Sequence, residues 1–135
     1  MTDLTRFIFG KEAEQQKLYL RKVDGRHWYK AIDIYRILGV IMSEYEISFS
    51  FGNRERTDAD LEDYEWAVFP YTVEGVGTRS AIYVNDGGLL KIIFSVKTKK
   101  SIEYCEPQVK KVPERFIPVE WRPYLKMKWY LNDSV

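Results

Sequence analysis

Asp24-Gly-Arg-His-Trp-Tyr-Lys-Ala-Ile-Asp-Ile-Tyr-Arg-Ile-Leu-Gly39 changes its periodicity midway. Asp24-Gly25 is the dipeptide a tight hairpin favours, because Gly tolerates the positive φ of the turn, and His27-Trp28-Tyr29 has the composition of a return strand. From Lys30 onward, Ala31, Ile34, Tyr35 and Leu38 recur at helical spacing, and Gly39 stands where a left-handed C-terminal cap belongs. A hairpin that feeds directly into an amphipathic helix predicts an α+β domain, a small antiparallel sheet of hairpins packed with short helices.

Upstream, Leu4 to Phe9 mixes β-formers, Gly10 to Gln16 reads as a polar turn, and Lys17 to Val23 leads into the hairpin, so two strands joined by a loop are expected. Downstream, Val40 to Phe51 fits either a helix or a strand. Trp66 to Val73 and Arg79 to Val84 flank the turn Glu74-Gly-Val-Gly77 and predict a second hairpin. Asn85 precedes the apolar stripe Leu89, Leu90, Ile92, Ile93 and Val96 and is the expected N-cap of a helix, worth about 1 kcal/mol. Thr98 is the expected cap of a further helix through Cys105, with Pro107 either kinking it or marking its end. Pro113, Pro118 and Pro123 exclude continuous helix beyond. The reading divides the chain into a domain, 1–113, and a tail, 114–135. Trp121, Tyr124, Trp129 and Tyr130 make that tail too apolar for a linker, so it is expected to pack on the domain or bind a partner.

A chain of 135 residues with 45% hydrophobic and 16% aromatic side chains has core material for one unit and no need of a staple. One cysteine, Cys105, cannot close an intramolecular disulfide, which suits an intracellular compartment. Neither a signal peptide nor an apolar span is legible, so no membrane association is expected. One His and one Cys cannot assemble a zinc site, and no metal or cofactor is expected.

Arg6-Phe-Ile-Phe-Gly10, Asp24 to Gly39, and Ile82-Tyr-Val-Asn-Asp-Gly-Gly-Leu-Leu-Lys-Ile-Ile-Phe-Ser-Val-Lys97 together resemble the Bro-N domain. This is the amino-terminal module of baculovirus repeated-open-reading-frame proteins and of phage antirepressors. The likeness covers Leu4 to Pro113 and includes the family's Asn-acidic-x-Gly-Leu helix start and closing Ser-x-Lys. Where the family's next helix ends in Trp and Leu-Pro, this chain has Tyr104-Cys-Glu-Pro107 and Val112-Pro113, and an aromatic tail stands where many members attach a larger carboxy-terminal domain, so a stand-alone or divergent member is expected. The resemblance implies an α+β nucleic-acid-binding module of viruses and phages, used to regulate transcription and not known for catalysis. Its compartment would be the host nucleus or cytoplasm for a eukaryotic virus, and the cytoplasm for a phage.

The formal net charge of +1 conceals an uneven distribution. Residues 1–66 carry 10 Lys+Arg and 13 Asp+Glu, net −3, whereas residues 67–135 carry 11 and 7, net +4. Candidate phosphate contacts are Lys17, Arg21, Lys22 and Arg26 around the first hairpin and helix, and Lys97, Lys99 and Lys100 on or beside the later predicted helices. Five such contacts would give a log–log salt slope of about −4 to −5. On a strand, Lys17, Tyr19 and Arg21 would share one face, where Tyr19 could stack a base. The bland reading of all these charges is an ordinary solvated surface. The acidic run Asp58 to Glu65 reads as a solvated loop or helix edge, and the opposed halves also permit a homodimer.

No catalytic constellation is legible. His27 reads as an edge histidine and Cys105 as a buried thiol without a nucleophile motif. Gly75-Val-Gly77-Thr78 lacks the Gly-Lys-Ser/Thr of a phosphate loop. The expected function is therefore a non-enzymatic, DNA-binding regulator. The alternative is a protein-interaction module acting on a host or viral protein through the tail residues Trp121, Tyr124, Trp129 and Tyr130.

Overall fold

The structure is a computed structural model that describes residues 2–43, 46–47 and 61–116. The chain opens with α1 (Asp3–Phe9) and α2 (Glu12–Gln15), continues through β1 (Leu20–Val23), β2 (Arg26–Lys30) and α3 (Ala31–Ile37), and forms a long hairpin from β3 (Trp66–Val73) and β4 (Gly77–Val84). α4 (Asp86–Ser95) follows, then a π-helical turn (Ser101–Cys105) that runs into α5 (Glu106–Lys110). Four antiparallel strands in the order β1-β2-β4-β3, with helices against one face, make a small α+β domain.

The first hairpin and α3 form where their residue types place them. Asp24 (φ 52°) and Gly25 (φ 80°) supply the two positive φ values of the turn. Gly39 (φ 90°) donates its N–H to the Arg36 carbonyl while Val40 N–H reaches back to Tyr35, the paired bonds of a Schellman cap. Asn85 caps α4 by accepting from Gly88 N–H at 3.1 Å. Gly88 is required by close approach: a Cβ there would stand 2.7 Å from Val84 Cβ and 2.8 Å from the Glu65 carbonyl oxygen.

Leu4 to Phe9 is helical, not the expected first strand, and the expected polar turn after it holds the short helix α2, while the second strand forms from Leu20. Thr2 and Thr5 exchange reciprocal side-chain to backbone bonds, each 3.1 Å, that satisfy free N–H groups of the first turn. Leu4, Thr5, Ile8 and Phe9 then form one buried helical face. Burial of that face overrides the β-forming composition. Lys17 is likewise outside the strand: it follows α2 in a left-handed conformation (φ 55°), and the strand begins only at Leu20, so the expected shared face of Lys17, Tyr19 and Arg21 does not form along one strand.

Pro107 does not end the last helix. Thr98 caps its start by accepting from Ser101 N–H (3.1 Å) while donating to the Leu38 carbonyl. Ahead of the proline the turn widens, and Glu106 N–H bonds to Ser101 instead of Ile102. A wider turn accommodates the ring, which cannot donate to the preceding carbonyls.

The core lies between the sheet and the helices. Tyr29 and Val84 from the sheet, Ile34, Ile37 and Leu38 around α3, and Leu89, Leu90, Ile92 and Ile93 from α4 are fully buried. The end of the acidic run joins this core. Glu65 is fully buried, takes the Glu62 N–H, and ion-pairs with Lys91 of α4, so it is not solvated as the charge pattern suggested. The desolvation that would expel a lone carboxylate is offset by that cation. Residues 44–45 and 48–51 of the undecided stretch Val40 to Phe51, residues 58–60 and the tail residues Trp121, Tyr124, Trp129 and Tyr130 fall outside the described residues.

Candidate nucleic-acid interface

Strand alternation divides the first basic cluster. Arg21 lies on the sheet face away from the helices, whereas Lys22, the next residue, projects from the opposite face and is exposed. Arg21 donates to the Pro70 carbonyl at 2.7 Å and stacks 4.9 Å from the Phe69 ring centroid. β1 and β3 are the two edges of the sheet, so this contact requires the sheet to curl toward the Arg21 face. Trp28 packs edge-on against Phe69 (5.4 Å) and Phe69 against Tyr83 (5.7 Å) inside the curl. Lys30, 9% exposed, places its ammonium 3.9 Å from the Tyr71 centroid and 5.3 Å from that of Tyr19. These cations are held by aromatic faces of the protein itself. Lys17 and Arg26 are exposed at separate points, after α2 and at the hairpin.

The second cluster stays together. Lys97, Lys99 and Lys100 surround the Thr98 cap at the start of the helical residues 99–110. Lys97 is 69% exposed, donates to the Phe94 carbonyl at 2.8 Å and lies 3.6 Å from Glu106. Lys100 bridges to Glu12 of α2 at 2.7 Å. Lys99 is exposed, with no ion-pair partner among the described residues.

Beside these lysines a cavity of about 740 Å³ opens between α1 and the last helix. Phe7 and Tyr104, Lys99 and Lys100, Glu12 and Gln108 line it. Phe7 is 38% and Tyr104 64% exposed, so the groove is lined by two partly exposed aromatic residues together with two lysines. Cys105 lies at its wall, and burial pushes its thiol up to about 11, which keeps it protonated and unreactive near neutral pH. Sequence reasoning identified Lys99 and Lys100 but missed Phe7, Tyr104 and Glu12, because Phe7 and Glu12 come from helices that had been read as a strand and a turn.

The glycine-rich helix start at Asn85 has different chemistry. The Tyr29 hydroxyl donates to Asp86 at 2.7 Å and also meets the Thr2 hydroxyl at 2.9 Å. Burial is the main cause that raises the Asp86 carboxyl above its ordinary range, while the Tyr29 bond and nearby His27 and Arg26 pull it down. With Asn85 bonded to Gly88 and Asp86 in the first turn, this end of α4 is closed by its own groups. Gly75-Val-Gly77 is the turn between β3 and β4, as expected, closed by Val76 N–H to the Val73 carbonyl.

No helix among the described residues is long and apolar enough to cross a membrane. Comparison with protein-family models, curated proteins and solved structures matched the chain to none of them.

Proposed function

We propose that this chain is a non-catalytic nucleic-acid-binding regulator that grips phosphate through Lys97, Lys99 and Lys100. The carrying observation is their position at a helix start. Cations there add to the positive end of the helix dipole and cost stability, where acidic residues would raise it. A site that concentrates positive potential against the needs of its own helix is suited to an external anion. The Bro-N resemblance supports the same reading, with DNA as the expected polymer. Arg21 contributes less, since its guanidinium already holds Pro70 and Phe69.

Anisotropy titrations of a labelled oligonucleotide from about 50 to 300 mM salt test this. Binding that weakens with salt, and whose log–log slope becomes shallower by about 3 in the Lys97→Ala, Lys99→Ala, Lys100→Ala triple variant, is the expected result. No binding, or a slope unchanged by the triple variant, contradicts it.

A further inference from the structure

We infer that the groove between α1 and the helix of residues 99–110 is a binding site for a nucleoside phosphate, its ring against Phe7 and Tyr104 and its phosphate on Lys99 and Lys100. The inference rests on the reading of those lysines as phosphate contacts and adds what lies beside them. A volume of about 740 Å³ suits a small molecule or one nucleotide unit. The groove cannot accept a base pair within a duplex, whose rings are stacked out of reach.

The lining has complementary parts for such a ligand and a poor fit to others. An apolar ligand would have to desolvate Lys99, Lys100, Glu12 and Gln108, while a bare anion would leave the Phe7 and Tyr104 rings in water. A planar ring carrying a phosphate satisfies both sides, and base–aromatic stacking tolerates any base. Gln108 offers both a donor and an acceptor to the edge of the ring. Glu12 neutralises Lys100 across 2.7 Å. An incoming phosphate competes with that carboxylate, so Glu12 sets the affinity.

The π-helical turn contributes the geometry of one wall. Ser101–Cys105 carries Tyr104 outward while Cys105 of the same turn remains buried. Widened turns of this kind recur at functional sites, and here the widening coincides with the groove.

The ligand has two sources, a free nucleotide and a nucleotide unit of a single strand. Adenosine monophosphate, a single-stranded oligodeoxyadenylate and inorganic phosphate are therefore titrated separately, with NMR of the aromatic rings as the readout of place. Shifts of the Phe7 and Tyr104 rings with the monophosphate or with the strand support the site, and whichever of the two binds identifies the source. Tyr104→Ala should weaken that binding at least about fivefold, Tyr104→Phe should retain it, and Glu12→Gln should tighten it. Inorganic phosphate should be indifferent to Tyr104→Ala. If the strand binds with a salt-dependent affinity that ignores Tyr104→Ala and leaves both rings unshifted, the groove inference falls and the nucleic-acid reading stands. If the monophosphate binds at the rings and no oligonucleotide binds, the reverse holds. If none binds, both fall.

Discussion

The helices that start at Asn85 and at Thr98 are capped in the same way and charged in opposite ways. At Asn85 the cap oxygen holds Gly88, an acidic residue occupies the first turn, and Tyr29, Thr2 and Glu65 close the end into the core. At Thr98 the cap holds Ser101, but Lys97, Lys99 and Lys100 surround it and Lys97 and Lys99 face solvent. The first arrangement follows what a helix dipole favours, and the second opposes it. The difference teaches that capping alone does not mark a site. What distinguishes the second start is charge of the sign that its own helix does not want, beside accessible aromatic rings.

The largest effect belongs to the closed start. Glu65→Ala removes the fully buried carboxylate that pairs with Lys91 and takes the Glu62 N–H, and should cost about 3 kcal/mol, read from the denaturant midpoint. A cost near zero would mean that Glu65 does not hold this end together. Next come the caps themselves. Asn85→Ala removes the bond to Gly88 and a second to the Tyr64 carbonyl, and Thr98→Ala removes the bond from Ser101 and a second to the Leu38 carbonyl, so each should cost about 2 kcal/mol. A cost near zero for either would mean that its cap does not hold that start.

Asp86 sharpens the comparison through pH. Burial raises its folded carboxyl above the ordinary 3.8, so the folded state favours the proton more than the unfolded chain does. That contribution to stability is fully present below the unfolded value and is lost as pH rises through the elevated folded one. Asp86→Asn should flatten the stability profile across that acid-side window. A profile whose slope there is unchanged in the variant would assign the titration to another group, of which Asp33, also raised by burial, is the first to test.

Much of this was legible because the deciding groups are local. The Asp24-Gly25 turn, the Gly39 cap and the Asn85 cap each follow from residues within one turn of one another. The helix α1 was not, since its β-forming residues become helical only when Thr2 and Thr5 cap them and the core accepts their buried face. Arg21 looked free because Phe69 and Pro70 reach it only through the curl of the sheet. Glu65 looked solvated because its cation, Lys91, lies on a helix that the acidic run itself does not reveal. The candidate groove was half visible: its lysines are adjacent in sequence, while its aromatic walls come from opposite ends of the domain.

Charge reversal at the exposed Lys99 separates fold from function. In Lys99→Glu the new carboxylate suits the helix dipole, so stability should rise by about 0.5 kcal/mol. Oligonucleotide affinity should fall, with a salt slope shallower by about 1. Stability and binding moving in opposite directions is the expected result, and affinity that is unchanged by Lys99→Glu contradicts a phosphate role for this helix start.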